Sequence, residues 1–457
     1  MMFICTRCGF TISKPLLRCP KCNNILHPEH GLAWRIHEEE QGIWRFKDLL
    51  PNIQIRNSLG EGFTPLIESV YLAKNLGLHS LHFKDEGRNP TGSFRDRVAA
   101  LITSHAKTEG YQKLVCATDG NAGASLAAYA ARLGLKVVTY VPRDADYSKI
   151  VFMKSLGAEV VQRGESLDDV YSFVNNIVAG ENVYNATSEA NPLSIEGLKT
   201  IAYEIYMKLG DDVDAIVLPV GSGLTMYSIY HGYKELYDNN IVRRIPRIIG
   251  VVHCSNVGIL EKLGLTNYLC EEKPIIGLSY SFPPFMKEII EVIKSTKGVI
   301  VPVSSKDIFK AGEIMARYEG LFIEPSAASA VAGLIKVTGK EIERKERVVV
   351  IITGHGLKGY EQYLGIKKRE RTTIFYKDTK TEIIKLLKEK EGLHGYAIWK
   401  NLKTKVTLQA VYQHLHELER KGVIYSKDEG GRRLYYLSWK GKRIAELLEE
   451  VDTLLSI

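Results

Sequence analysis

No apolar run in this 457-residue chain approaches the roughly 20 residues that a helix needs to cross a bilayer, which excludes a helical membrane anchor. The N-terminus lacks the basic-then-apolar pattern of a secretory leader, so the expected location is cytoplasmic. Net charge is scarce over most of the sequence. Lys367 to the end holds 20 of the 61 Lys/Arg and 13 of the 53 Asp/Glu, which leaves 41 basic against 40 acidic residues before it. The formal charge of +8 therefore belongs almost wholly to the tail and points to a polyanion partner there. Cysteine is sparse, with seven residues in all.

Four of those cysteines are paired by spacing, in Cys5-Thr-Arg-Cys8 and Cys19-Pro-Lys-Cys22. Two such knuckles across a short loop place four thiolates around Zn²⁺. A ribbon this small has little other source of folding energy. The competing reading, a pair of disulfides, is disfavoured in a reducing compartment. Four sulfur ligands leave no open coordination position, so the expected zinc is structural. Cys116, Cys254 and Cys270 are expected as buried apolar residues.

The length predicts two or three domains, and 45% hydrophobic with 25% charged residues reads as globular. From about Pro65 to Gly356, β-branched apolar runs alternate with helical patterns, as in KLVCATDG then ASLAAYAARLG and AIVLPVGSG then LTMYSIYHGYKEL. That alternation predicts an α/β domain with a mostly parallel sheet covered by helices. Glycine turns at strand C-termini are where such folds bind ligands. Three stand out: Thr118 to Gly123, Val220 to Thr225, and Thr353 to Gly356.

These turns, with GEGFTPL (60–66), KDEGRNPTGSF (84–94), NPLSIEGLKTIAYEI (191–205), EGLFIEPSAASAVAGL (319–334) and TGHGLK (353–358), closely resemble threonine synthase. The resemblance implies a two-lobed fold-type II pyridoxal-phosphate (PLP) domain, tryptophan synthase beta-like, preceded by the zinc ribbon. It implies that Asn121 meets the PLP ring hydroxyl and that Gly221, Ser222, Gly223, Leu224 and Thr225 hold the phosphate. Thr353 would face the pyridine nitrogen. Thr91, Ser93, Thr118 and Asp119 are the expected contacts for an amino-acid ligand, with Ser93 a helix cap. Ser222 and Leu224 depart from the family's usual Asn and Gly. Asp119 stands where the family usually presents a hydroxyl, and a carboxylate there repels a ligand carboxylate unless protonated or paired.

The sharpest departure is Arg95. In the family a lysine follows this Phe and forms the aldimine with PLP. A guanidinium stays protonated and delocalised, so it cannot act as that nucleophile. Lys84, eleven residues upstream, reads as structural rather than as a relocated nucleophile. Arginine is a good permanent anion clamp, for PLP bound without a covalent link, an amino acid or a phosphorylated amino acid. The plainer reading is a decayed site with Arg95 paired to Asp119 or Glu86.

In the tail, TEIIKLLKEKEG, HGYAIWKNLK and VTLQAVYQHLHELERKG give three helical patterns. VIYSKDEGGRRLYYLS then gives a hairpin turning at Gly430-Gly431. The segment resembles winged-helix repressors of the PadR type. That implies a DNA-binding helix over 407–421, with Gln409, Gln413 and His414 toward bases and Lys403, Lys405, Arg432 and Arg433 toward phosphates. Docking of a protein is the competing use. The stripe Ile444, Leu447, Leu448, Val451, Leu454 and Leu455 suits a homodimer.

The expected domains are 1–28 (ribbon), 29–362 (PLP-type), 363–376 (linker) and 377–457 (winged helix). Two functions are expected from these residues. One is a ligand-sensing transcriptional regulator of amino-acid metabolism built on a site that has lost its lysine. The other is a working threonine synthase acting on O-phospho-L-homoserine, with an autoregulatory tail.

Overall fold

The computed structural model describes residues 1–180, 182–272, 275–278, 280–360, 362–363, 379–402 and 406–455, apart from the side chains of 447 and 449–455. The chain divides into two compact units, Met1–Leu364 and Gly365–Ile457. Among the described residues no helix is long and apolar enough to cross a membrane.

The first unit begins with a three-stranded antiparallel sheet of β1 (Phe3–Cys5), β2 (Thr11–Ile12) and β3 (Leu26–Pro28), in the order β2-β1-β3. Two larger sheets follow. One has four parallel strands in the order β8-β7-β6-β9: β6 is Lys113–Ala117, β7 Lys136–Val141, β8 Glu159–Gln162 and β9 Tyr184–Asn185. The other has six in the order β12-β11-β10-β13-β5-β4. Here β4 is Leu66–Glu68, β5 Ser80–Asp85, β10 Ala215–Pro219, β11 Arg247–His253, β12 Val299–Val303 and β13 Arg347–Ile352. All its pairings are parallel except that of the edge strand β4. Helices bury both faces of a parallel sheet, so its strands read as continuous apolar runs, as AIVLP and RVVVII do.

The helices Arg95–Thr108 and Leu193–Leu209 pack closely at Gly197, where an added Cβ would lie 2.6 Å from the Arg97 carbonyl oxygen. Beside this crossing lies a buried ion network. Arg97 bonds Glu86 at 2.7 Å through both Nε and Nη2, and it also bonds Glu204. Lys84 Nζ donates to Glu204 and to the Thr64 carbonyl, each at 2.6 Å. Lys84 is thus committed to structure, and Glu86 is taken by Arg97.

The second unit has its own core of Ile383, Leu387, Ile398, Val411, Leu415 and Leu437. Its order is helix Thr379–Glu389, strand β14 (Leu393–His394), helix Gly395–Asn401, helix Leu408–Arg420, strands β15 (Ile424–Glu429) and β16 (Arg432–Leu437), then helix Trp439–Leu455. The strands form one antiparallel sheet, β14-β16-β15. The stripe expected to dimerise is partly spent inside this unit: Leu448 is buried in the core and Ile444 packs against it. The side chains of Leu447, Val451, Leu454 and Leu455 lie outside the described residues, as do Lys403, Lys405, residues 364–376 of the expected linker and the first two residues, 377 and 378, of the expected winged helix.

One cysteine expectation fails. Cys254, just after β11, and Cys270 are joined in a disulfide, because the segment after β11 turns back and the Cys270 N–H donates to the Cys254 carbonyl at 3.2 Å. Cys116 alone of the three is a free, buried thiol.

Candidate active site

The three glycine turns converge. The first joins β6 to the helix Asn121–Arg132, the second joins β10 to the helix Leu224–Asp238, and the third follows β13. All lie at the C-terminal ends of parallel strands, where loop backbone and helix N-termini face a common crevice. Gly223 sits at φ +91 ahead of its helix, a conformation only glycine adopts without strain. The cleft is lined by Phe94, Arg95, Asp119, Asn121, Lys149, Gly221, Ser222, Gly223, Thr225, Glu324 and Thr353, with Ile276, Gly277 and Leu278 forming one wall. It leaves about 60 Å³ for the centre of a water-sized sphere. That is room for a few waters, so a larger ligand requires the wall to shift.

Four expected contacts sit elsewhere. Leu224 is fully buried and does not line the cleft. The Thr91 N–H and hydroxyl both donate to Asp96, each at 2.6 Å. Thr118 Oγ1 accepts the N–H groups of Gly120 and Gly123 at 3.0 and 3.1 Å, which fixes the first turn. Ser93 is not the cap of the following helix. Phe94 holds that position without a side-chain bond, and Ser93 Oγ accepts only a long contact of 3.4 Å from the Arg95 N–H.

Arg95 pairs with neither Asp119 nor Glu86. Its Nη2 donates to Glu189 Oε1 at 2.8 Å, and its guanidinium lies over the Phe94 ring. Glu189 also accepts from Tyr171 at 2.8 Å and from Ser222 at 3.3 Å. Burial would drive the Arg95 proton off, but the Glu189 carboxylate more than offsets this and raises the guanidinium above its usual range. Burial likewise opposes ionisation of Glu189, and Arg95 reverses it, holding the carboxyl below its usual range. The pair is locked in its ionised form.

Among the described residues, two buried polar atoms in this cleft have no partner, Arg95 Nη1 and Asn121 Oδ1. The Asn121 amide nitrogen is shared between both Glu324 oxygens at 3.0 Å. Buried polar groups are nearly always satisfied, so an orphaned donor and an orphaned acceptor in one cleft mark where a ligand fits. Burial raises the Asp119 carboxyl despite the nearby positive charges of Lys149 and Arg95. Lys149, from the helix Tyr147–Ser155, brings a buried amine into the cleft, and its ion-pair partner among the described residues is Asp146, at 3.9 Å. Sequence reasoning missed both Lys149 and Glu189. Neither lies in a glycine turn, and only tertiary folding brings them to Arg95. A further buried amine, Lys358, is pushed down to about 8 by burial and donates to the Thr91 carbonyl at 2.7 Å.

The N-terminal cysteines gather as a set, with Sγ separations of 3.4 Å (Cys5–Cys22), 3.6 Å (Cys8–Cys19) and 3.5 Å (Cys8–Cys22). Tetrahedral thiolates around Zn²⁺ at about 2.3 Å lie about 3.8 Å apart. Each knuckle closes by the same hydrogen bond, Gly9 N–H to Cys5 and Asn23 N–H to Cys19, both at 2.9 Å.

In the second unit, Gln409 and Gln413 are exposed on the helix Leu408–Arg420 and share a face with Tyr412 and His416. His414 is not on that face: it is half-buried, with Nδ1 buried and unpartnered among the described residues. Arg432 is exposed beside the Gly430–Gly431 turn, whereas Arg433 donates to Glu419 at 2.9 Å and to Ser426. A groove of about 480 Å³ is lined by His394, Tyr396, Tyr412, Arg432, Arg433 and Tyr435.

Residues 57–354 match the family model described as pyridoxal-phosphate dependent enzyme, and the chain belongs to that family. Within it the chain is a fold-type II protein related to threonine synthase. It is 33% identical over 378 residues to the threonine synthase of Methanocaldococcus jannaschii, covering 78% of this chain and 93% of that one. Against the threonine synthase of Mycobacterium bovis it is 32% identical over 303 residues, covering 66% and 83%. Among solved structures, O-ureido-L-serine synthase superposes with a TM-score of 0.57 at 20% identity, covering 69% of this chain and 95% of that one. The O-acetylserine dependent cystathionine beta-synthase of Helicobacter pylori gives 0.55 at 22%, covering 65% and 94%. Those two likenesses concern the fold.

The chemistry of the cleft residues suits PLP, for which the wall of residues 276–278 has to move outward. The glycine turn at a helix N-terminus suits a phosphate, and Asn121 keeps a free acceptor. When bound, PLP supplies an electron sink for chemistry at an amino acid's carbons. At position 95 this chain offers a fixed cation rather than an amine.

Proposed function

We propose that the first unit binds an amino acid or phosphorylated amino acid, with PLP held non-covalently if at all, and that this binding controls DNA recognition by the second unit. The protein is then a ligand-responsive transcriptional regulator of amino-acid metabolism. The observation that carries this reading is Arg95, locked on Glu189 with a buried Nη1 donor to spare. A zwitterion suits the cleft. Its carboxylate or phosphate meets Arg95, Lys149 and the N-terminus of the helix Leu224–Asp238, and its ammonium meets Asp119 and Glu324. A four-thiolate zinc holds the N-terminal ribbon. The second unit, read as a winged helix, offers Gln409, Gln413 and His416 to bases and the arginine-tipped hairpin to phosphates, as a homodimer on a roughly palindromic site.

A second reading is favoured by the relatives, which are threonine synthases, and by Lys149, an amine already in the cleft. In it the protein is a PLP-dependent enzyme forming threonine from O-phospho-L-homoserine. Titration of the full chain with O-phospho-L-homoserine, with and without PLP, separates the two. Binding without release of inorganic phosphate supports the regulator, and turnover supports the enzyme.

A further inference from the structure

Away from the cleft turns, another group of side chains with the chemistry of metal ligands surrounds the disulfide. His253 ends β11, Cys254 follows it, and Cys270 and Glu272 come from the segment that turns back. One ligand atom from each lies within 4.8 Å of all the others. His253 Nε2 is 3.5 Å from Glu272 Oε2, and Cys254 Sγ is 4.0 Å from His253 Nε2 and 3.9 Å from Glu272 Oε2. These exceed the edges of a tetrahedron around a zinc-sized ion by up to about 0.5 Å, and the sulfur–sulfur edge forms only once the Cys254–Cys270 bond opens. The outer contacts are in place as well. His253 Nδ1 bonds Ser255 Oγ at 2.7 Å and orients the ring, and Glu272 accepts the Ser305 N–H at 2.7 Å. Ser305 Oγ, now 3.0 Å from His253 Nε2, is the group a metal would displace. His253 and Cys254 are buried while Cys270 and Glu272 are partly exposed, which gives an ion a way in.

The same segment continues into Ile276, Gly277 and Leu278, the wall of the cleft. Asn256 Nδ2 holds the Leu278 carbonyl at 2.8 Å. Cys270 thus lies six residues before Ile276 in the chain, and Cys254 two residues before Asn256, which holds the wall.

We propose that His253, Cys254, Cys270 and Glu272 form a second metal site, which takes a borderline divalent cation such as Zn²⁺ once the disulfide is opened, so that disulfide and metal are alternative ties on the cleft wall. Two sulfurs, an imidazole and a carboxylate select zinc over the hard cations magnesium and calcium. Opening needs a reductant. With a phosphine, the phosphorus takes the oxygen of water and becomes the oxide, the S–S bond breaks, and water's two protons leave the sulfurs as thiols. Zinc then displaces those two protons. The proposal is independent of what the cleft binds.

The test counts zinc in the full-length protein after equilibration with a zinc buffer and removal of loose metal. With a phosphine present, two equivalents per chain are expected; after oxidation with oxidised glutathione, one. Cys254→Ser/Cys270→Ser should hold one equivalent in either state, and Glu272→Gln, at a half-exposed position, should weaken only the second. Hydrogen exchange over 275–278 should be slow in the oxidised and zinc-loaded forms and faster in the reduced, metal-free form. A single equivalent in the reduced wild type, a second equivalent that survives the double serine variant, or exchange indifferent to zinc would each overturn the proposal.

Discussion

At Arg95 a single substitution changes what the neighbours must be. A guanidinium buried beside the cofactor turns needs a counter-ion, and Glu189 supplies one at 2.8 Å. The same carboxylate would hold a lysine at 95 as ammonium, because a buried opposite charge favours the charged form. Arg95→Lys alone is therefore predicted to stay unreactive toward PLP. Arg95→Lys/Glu189→Gln should gain a borohydride-reducible link at position 95, read by peptide mass. Equal labelling of both variants would show that Glu189 does not govern the group beside it. A second residue with a readable consequence is Glu61, whose Oε2 accepts from Ser58, Leu59 and Tyr129 while Oε1 is buried without a partner among the described residues. Burial pushes its carboxyl from the ordinary 4.5 up to about 7. The folded protein holds this proton more tightly than the unfolded chain, so stability from this group is whole below pH 4.5 and lost as the pH rises through 7. The loss is about 3 kcal/mol at most. Glu61→Gln cannot ionise, so its melting temperature relative to wild type should climb between pH 4.5 and 7. A difference that stays constant over that window would contradict the assignment.

At the scale of elements, much was legible because it rests on local rules. Alternating apolar runs and helical patterns announced a parallel sheet, and glycine turns after β6, β10 and β13 marked its ligand edge. The cysteine spacing announced the ribbon's knuckles. What the sequence hid was tertiary: Glu189 and Lys149 reach the cleft from separate elements, Glu324 accepts from the Asn121 amide, and the Cys254–Cys270 bridge joins residues 16 apart with the short helix Val257–Lys262 between them. His414 was misassigned because helix spacing puts it off the face shared by Gln409 and Gln413. The ribbon also does more than stand beside the body. Arg18 forms a two-pronged ion pair with Glu288 at 2.6 and 2.8 Å, and the Leu17 N–H donates to the Ala190 carbonyl, next to Glu189. A strong chelator is predicted to lower the thermal midpoint and, through Ala190, to weaken PLP retention before the body unfolds. Retention unchanged by metal removal would confine the ribbon to a stabilising role.

At the scale of the whole molecule, two units of different charge share one chain. The second carries the basic excess, an exposed polar helix face and an aromatic groove edged by Arg432 and Arg433. Arg433 is partly neutralised by Glu419, so Arg432 is the freer cation. For the full-length protein on duplex DNA, Arg432→Ala should lower the salt dependence of binding by about one unit of slope, and Arg433→Ala by less. Gln413→Ala should instead change the preferred sequence. No retention of duplex at low salt would make the second unit a protein-docking module. The most direct measurement joins the family's chemistry to the residue that departs from it: borohydride treatment of the full-length protein with PLP, followed by peptide mapping. With Arg95 as a non-covalent clamp, the untreated complex releases free PLP on denaturation, and the borohydride-treated protein carries no pyridoxyl-lysine. A stoichiometric pyridoxyl group on Lys149, accompanied by phosphate release from O-phospho-L-homoserine, would contradict it and make the protein an enzyme with a relocated amine.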